Sequence, residues 1–323
     1  MELVKEKWVS KVNILSIGAT GEEGGTRKTK VQVGGEDTLP FLHFEGKMPH
    51  RPVIACEVLD MVPENWPQAV AKPYSDVYRD PAKWAKKCET QGADLICLTF
   101  TGAHPDNNNS SAADCAKVVR NILAATTVPL IVIGCGNDDK DNEIIPAISE
   151  AAKGENVLLG KATQDNYKTI VACASADGHA VIAESPIDIN IAKQVNVLIS
   201  DLSFALDRIV IDPTTGGLGY GLEYCYSIME RARIGALGAD KMLAMPFIVF
   251  PGQEAWRSKE ARITKEEMPQ WGDEEKRGIV WELTTALSLL LAGADILVMR
   301  HAQAIANLKK VINALMNEEG KKC

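Results

Sequence analysis

From Pro52 onward, short apolar runs alternate with longer amphipathic stretches. The runs fall at 53–59, 94–100, 130–134, 157–160, 180–183, 208–211, 246–250 and 296–300. They are rich in Val, Ile and Leu, the composition of strands buried on both faces. The stretches between them predict helices over 81–91, 112–126, 143–153, 165–177, 187–199, 222–237 and 274–292, with an eighth from about 303 to 317. Three helix ends share one form: Gln91-Gly92-Ala93-Asp94, Leu237-Gly238-Ala239-Asp240 and Ala292-Gly293-Ala294-Asp295. Each sets Gly just past the helix, where a left-handed cap costs least. Eight strand–helix units in about 265 residues predict an α/β fold, a (β/α)₈ TIM barrel. A doubly wound sheet shares the periodicity. Eight regular units and no nucleotide fingerprint favour the barrel.

The first fifty residues read differently. Segments 12–18 and 28–35 alternate with period two around a Gly- and Glu-rich stretch. That pattern predicts a β-hairpin, an N-terminal extension over 1–50 that caps one end of a larger body. No Ser/Gly- or Pro-rich linker interrupts the rest, so 51–323 reads as one barrel domain.

Composition narrows the function. With 46% hydrophobic and 24% charged residues the chain is globular rather than disordered. Its net charge of -8 disfavours nucleic acid and anionic membrane as general partners. No uncharged apolar run reaches 18 residues, so no transmembrane helix is predicted. The N-terminus lacks the apolar core of a signal peptide, and the expected location is cytoplasmic. No two of the eight cysteines lie within four residues of each other. CxxC-type zinc and iron–sulfur spacings are therefore absent, and buried reduced thiols are expected.

A barrel carries its chemistry in the loops after its strands. There the chain sets Glu57 and Asp60, then Thr99-Phe100-Thr101-Gly102 with the run Asn107-Asn108-Asn109. Asn137, Lys161, Glu184, the segment from Asp212 through Thr214 and Gly216, and Arg300-His301 follow in later loops. Asn and Thr offer neutral hydrogen bonds, and Gly lets a flat ligand approach the backbone. The set suits holding a large polar cofactor better than acyl or phosphoryl transfer. Gly217-Leu218-Gly219-Tyr220-Gly221 lacks GxGxxG spacing, Arg27-Lys28-Thr29 lacks the P-loop Gly, and no GxSxG occurs. Lys161 is the nearest candidate for Schiff-base chemistry, with an ion-paired Lys as the plainer reading. Glu184 and Asp212 suit acid–base work or hydrogen bonding within the rim. Arg300 suits an anion or a salt bridge to Asp212 or Glu57. No HxH or HxxxH pair exists, and neither a metal site nor a catalytic residue is assigned.

The stretch Asp212-Pro213-Thr214-Thr215-Gly216-Gly217-Leu218-Gly219-Tyr220-Gly221-Leu222-Glu223-Tyr224 resembles a segment of the small subunit of the corrinoid iron–sulfur protein. The N-terminal hairpin, Phe100-Thr101-Gly102 with its Asn run, and Phe250-Pro251-Gly252-Gln253-Glu254-Ala255-Trp256 resemble that family too. Archaeal acetyl-CoA decarbonylase/synthase delta subunits are close relatives of it. The resemblance runs over nearly the whole chain. It implies a TIM barrel paired in a heterodimer with a large subunit that carries a [4Fe–4S] cluster and a mobile corrinoid domain. It implies a methyl carrier of the reductive acetyl-CoA (Wood–Ljungdahl) pathway of carbon dioxide fixation. The methyl comes from methyltetrahydrofolate through a methyltransferase, rides on cobalt, and passes to carbon monoxide dehydrogenase/acetyl-CoA synthase. This chain would hold no iron–sulfur cluster and would form one wall of the cobalamin site, as a non-catalytic subunit. On that reading the corrinoid contacts are Thr99, Thr101, Asn107, Asn137, Asp212, Thr214 and Gly216. Asp177-Gly178-His179 opens like the DxHxxG signature of a cobalt-ligating His, but Ile182 replaces the Gly and His179 precedes its strand, so a structural role is expected. Trp66, Tyr74, Trp256 and Trp271 are candidate anchors for a partner. The alternative is a pterin-dependent methyltransferase active on its own, with Asp212 or Asn137 on the pterin. An aldolase-like barrel lacks a convincing Lys or metal set.

Overall fold

A computed structural model describes residues 4–317. Strands β1 (Ile14–Ile17) and β2 (Val31–Gly34) pair antiparallel. Eight strands follow: β3 (Val53–Leu59), β4 (Leu95–Thr99), β5 (Leu130–Ile133), β6 (Leu158–Ala162), β7 (Ala180–Glu184), β8 (Ile209–Asp212), β9 (Ile248–Val249) and β10 (Ile296–Met299). They are parallel, in the order β8-β7-β6-β5-β4-β3-β10-β9. A bridge between Ile211 and Phe247, with Ile211 N–H donating to Pro246 O at 2.9 Å, brings the two ends together. The result is the near-closed TIM barrel that the pattern predicts.

The helices are α1 (Gln68–Ala71), α2 (Pro81–Thr90), α3 (Ala112–Ala125), α4 (Asp138–Ala151), α5 (Tyr167–Asp177), α6 (Ile189–Asp201), α7 (Leu222–Leu237), α8 (Pro251–Arg257), α9 (Lys259–Arg262), α10 (Glu274–Leu291) and α11 (Ala302–Met316). Helix α4 starts five residues before its predicted start. Asn137 caps it, and Asp138, Asp139 and Asp141 fill its first turn, where the helix dipole favours acids. Residues 251–257, read as a loop, form α8, with Pro251 at its first position. The repeated Gly caps also divide. Gly92 (φ 93°) and Gly293 (φ 105°) are left-handed as expected. At the third, Gly238 stays right-handed at φ -83° and Ala239 takes the left-handed position at φ 76°. Asp240 N–H bonds Gly235 O there, and the Asp240 side chain accepts from Met242 N–H, so the reversal falls one residue later.

Strand side chains alternate between two layers. Ile54, Ile96, Val132, Val181 and Leu297 face the helices. Val53, Ala55, Leu95, Cys97, Ile131, Ala180, Ile182, Val210, Ile248, Ile296 and Val298 fill the barrel interior. Leu15, Ile17 and Val33 of the hairpin join that interior layer. The hairpin plugs the end where the strands begin: Gly18 N–H donates to Asn156 O (2.8 Å) and Asn13 N–H to Ala244 O (2.7 Å). Buried Arg27 fastens it, with Nε to Glu155 Oε2 at 2.9 Å and Nη1 to Thr126 O at 2.9 Å. The opposite end, where the strands finish, stays open. Five cysteines (Cys56, Cys88, Cys97, Cys115 and Cys225) are buried free thiols, while Cys135 and Cys173 are half-buried. Cys323 lies outside the described residues. Among those residues, no helix is long and apolar enough to cross a membrane.

Ile17→Ala should destabilise the fold by about 2–5 kcal/mol, because the plug then leaves a cavity against the barrel interior. Urea unfolding followed by circular dichroism measures this; a loss below about 1 kcal/mol would show that the hairpin is not part of the core.

Candidate functional site

The inward parity that fills the barrel with apolar side chains continues to the open end. One step beyond Val53 and Ala55 it reaches Glu57, and beyond Leu95 and Cys97 it reaches Thr99. The same step yields Glu184 on β7, Asp212 on β8, Phe250 after β9 and Arg300 after β10. Charged groups on such a floor must be paired, since desolvation of a lone ion is costly.

They are paired. Lys161 Nζ lies 2.7 Å from Asp212 Oδ2 and 2.9 Å from Glu184 Oε1, with the Phe250 ring 4.3 Å beneath it. Burial alone lowers the Lys161 pKa, but the two carboxylates outweigh it and hold the ammonium protonated. That removes the free amine that Schiff-base chemistry needs. Burial pushes the Asp212 carboxyl up, and Lys161 opposes the shift.

Across the floor, Arg300 Nε meets Glu57 Oε2 at 2.5 Å, and Thr99 Oγ1 donates to Glu57 Oε1 at 3.2 Å. The Arg300 guanidinium lies 4.5 Å over the Trp66 ring. Its backbone is held at both ends. Arg300 N–H donates to Glu282 Oε1 (2.6 Å), and Tyr74 OH donates to Arg300 O (2.7 Å). Glu282 also accepts from Trp256 Nε1 at 2.8 Å, and His301 stacks on Trp256. Burial drives the Glu282 carboxyl up to about 7, against these donors.

Two cavities open above this floor, of about 310 Å³ and 360 Å³, sharing Glu57, Thr99 and Gln253. The first is walled by Asp138, Asp141, Lys161, Asn166 and Glu184. Asn166 Nδ2 donates to Asp138 Oδ1 (2.9 Å), and Asp141 accepts from the N–H groups of Cys135 (2.6 Å) and Gly136 (3.1 Å). The second is walled by Leu59, Trp66, Thr101, Asn107 and three arginines. Beside them, Asp60 accepts from Gly102 N–H (2.7 Å), and burial raises its carboxyl to about 6.

Of the seven expected contact residues, Thr99, Thr101 and Asn107 line the second cavity, and Asn107 Nδ2 donates to Thr101 O (2.8 Å). The other four serve the walls. Asn137 Oδ1 accepts from Lys140 N–H (3.0 Å) as the α4 cap. Asp212 lies beneath the floor, fully buried. Thr214 bridges two loops, N–H to Asp212 Oδ1 (2.9 Å) and Oγ1 to Ser185 O (2.7 Å). Gly216 packs on its own loop, where an added Cβ would stand 2.2 Å from Gly221 O. Asp212, fully buried, is therefore poorly placed to touch a pterin as well, whereas Asn137 is half-buried beside Gly136 and Asp138 of the first cavity. Arg300 takes Glu57, not Asp212, as its partner. Among the proposed anchors, Tyr74 and Trp256 are buried and cannot meet a partner, whereas Trp66 and Trp271 are half-buried. His179 is buried with Nε2 bonded to Ser149 O at 3.0 Å, the structural role expected. Among the described residues, no group of three or more His, Cys, Asp or Glu is arranged to hold a metal ion. Asp141 and Asn166 were not singled out from the sequence, and Gln253 figured there only within the motif at 250–256. Strand parity signals Glu57, but loop residues carry no such signal.

The family described as CO dehydrogenase/acetyl-CoA synthase delta subunit matches residues 17–314. The chain is 40% identical over 320 residues to the acetyl-CoA decarbonylase/synthase complex subunit delta of Archaeoglobus fulgidus, covering 97% of this chain and 70% of that one. It is 36% identical over 315 residues to subunit delta 1 of Methanosarcina thermophila, covering 96% and 72%. Among solved structures, it resembles dihydropteroate synthase from Xanthomonas albilineans in complex with indole-2-carboxylic acid and 6-chloroguanine. There the TM-score is 0.56 at 14% identity, over 84% of this chain and 96% of that one. The dihydropteroate synthase of Thermus thermophilus gives 0.52 at 17% identity, over 87% and 100%. These likenesses are of fold.

Lys161→Met should destabilise the protein by about 3–5 kcal/mol, because it strands Asp212 unpaired. Thermal and urea unfolding at neutral pH test this, and an unchanged midpoint would mean the pair does not hold the floor. Asp60→Asn should change how stability depends on pH. The ordinary Asp value of 3.8 rises to about 6 in the fold, so between them the native state keeps a proton that the unfolded chain has lost. The Asp60 contribution to wild-type stability then falls as pH rises through that window. The stability difference, variant minus wild type, should grow from about pH 4 to about pH 6 and then level off. A difference independent of pH would show that Asp60 titrates normally.

Proposed function

The chain belongs to the CO dehydrogenase/acetyl-CoA synthase delta subunit family, and on that footing we propose that it is the small, non-catalytic subunit of a corrinoid methyl carrier of the reductive acetyl-CoA pathway. The observation that carries this reading is the mutual pairing of the ions on the mouth floor. Lys161 is committed to Asp212 and Glu184, and Arg300 to Glu57. Among the neutral groups of the rim facing solvent are Thr101, Asn107 and Gln253. Neutral hydroxyls and amides match the chemistry of a macrocycle edged with amide groups. The corrinoid, when bound, supplies a cobalt that accepts and releases the methyl group.

What this chain contributes is a wall. Thr101, Asn107 and Gln253 would bond the amide edge. Thr99 would orient the rim through Glu57. Asp212, Thr214, Gly216 and Asn137 would act by fixing the loops that carry it. The partners in this reading are a large corrinoid and iron–sulfur subunit, a methyltetrahydrofolate methyltransferase and carbon monoxide dehydrogenase/acetyl-CoA synthase, in the cytoplasm.

One observation favours a second reading, a pterin-dependent methyltransferase. The first cavity presents Asp138, Asp141 and Asn166 together, a set able to bond the N–H edge of a planar heterocycle. Activity of the isolated chain separates the two. The carrier reading predicts a colourless chain that does not transfer methyl from methyltetrahydrofolate to free corrinoid. With its partner it should form a heterodimer with corrinoid and iron–sulfur absorption. Visible spectra with native mass test this. A chain that transfers methyl unaided would replace the carrier by the enzyme.

A further inference from the structure

The second mouth cavity has a feature that the carrier reading leaves unused. Three guanidinium groups, from Arg257, Arg262 and Arg300, line it against two carboxylates, Glu57 and Glu64. Arg257 is half-committed, its Nη1 meeting Glu254 Oε1 at 2.9 Å. Arg262 is exposed and makes one bond, Nη2 to Asn65 O at 3.3 Å. Arg300 differs from both. Its side chain is only 9% exposed, and its backbone is clamped by Glu282 and Tyr74. Trp66 fixes the plane of its guanidinium, and Glu57 takes Nε. Among the described residues, neither Nη nitrogen has an acceptor. Neither is sealed from the cavity as a buried orphan.

A buried guanidinium is normally saturated by acceptors. Here the structure holds one rigid and leaves its Nη edge facing open space. That edge is a planar two-point donor, matched by two oxygens of one anionic group. The surroundings complete a small-molecule site: Trp66, Leu59 and Val62 as apolar wall, Gln253 and Asn107 as amides. We propose that this cavity binds a small organic oxyanion, a carboxylate or phosphate held bidentately by the Arg300 Nη edge, with Arg262 drawing it in. The neighbouring cavity, which shares Glu57, Thr99 and Gln253 with this one, is edged by Asp138, Asp141 and Glu184 and no arginine, so it suits such a ligand less well. The proposed site shares Asn107 and Gln253 with the carrier reading but rests on the free Arg300 Nη edge and Arg262, which neither methyl-transfer reading uses.

The full chain should be titrated by calorimetry at low ionic strength with inorganic phosphate, with succinate, and with neutral succinamide. Saturable one-to-one binding of phosphate or succinate, absent for succinamide and weakening with added salt, is expected. Binding of phosphate alone would assign a phosphate ester, succinate alone a carboxylate ligand, and both the bare oxyanion edge. Arg300→Lys should weaken binding about tenfold or more, because an ammonium does not reproduce the fork. Arg262→Gln, at an exposed position, should weaken it by a smaller factor and flatten the salt dependence. No saturable binding of either anion, or affinities unchanged in both folded variants, would overturn the proposal.

Discussion

Lys161 stands at the top of an apolar barrel between Asp212 and Glu184, and much of the mouth is arranged around keeping that ammonium charged. Below it the inward positions are aliphatic, Cys97 or Phe250. A single ion there would be forced toward its neutral form, whereas a triad is self-consistent. The loops then inherit the triad's geometry. Asp212 accepts from Thr214 N–H, Thr214 reaches back to Ser185, and the glycines after it fold tightly enough that Gly216 touches Gly221. What looks from outside like a Gly- and Thr-rich ligand loop is in large part the tether of this ion cluster.

The second constraint is asymmetry. The hairpin closes the end of the barrel where the strands begin, with Leu15, Ile17 and Val33 as the plug and Arg27 as its fastening. Access is therefore from the strand ends alone, the face where a barrel's loops can diverge without disturbing its core. The Glu57–Arg300 pair and the Lys161 triad split that face into two cavities of different character. One is edged by Asp138 and Asp141, the other by arginines. A surface so divided suits holding and shielding a ligand more than attacking one.

Arg300 ties this face to the helical shell. Glu282 of α10 receives the N–H groups of Arg300 and His301 and the indole of Trp256, so a buried carboxyl is satisfied by neutral donors. Tyr74 holds the Arg300 carbonyl on the other side. The aromatic residues of this region are structural for that reason. Tyr74 and Trp256 sit in long connections, where exposure would be expected, but their polar tips are needed inside.

The sequence alone determined the barrel, the hairpin and the order of the units, because strands buried on both faces and helices buried on one leave periodic signatures that need no partner to read. It also put Glu57, Glu184, Asp212 and Arg300 near the strand ends, by their place after the apolar runs, whereas their alignment into one inward layer came from the fold. The family resemblance was legible through the length and order of its motifs. Loop residues were another matter. Asn137, Asp212, Thr214 and Gly216 have the composition of ligand contacts, and only the tertiary structure decided that Asn137 caps α4, that Asp212 and Thr214 bond within the protein and that Gly216 packs on its own loop. The extra helix at 251–257 and the slip of the Gly238 cap were fixed by what each segment packs against and bonds to. The free Nη edge of Arg300 was likewise decided in three dimensions. Its guanidinium meets Glu57 and Trp66 and its backbone meets Tyr74 and Glu282, residues far apart along the chain, and no local pattern encodes which of the five side-chain donors is left over.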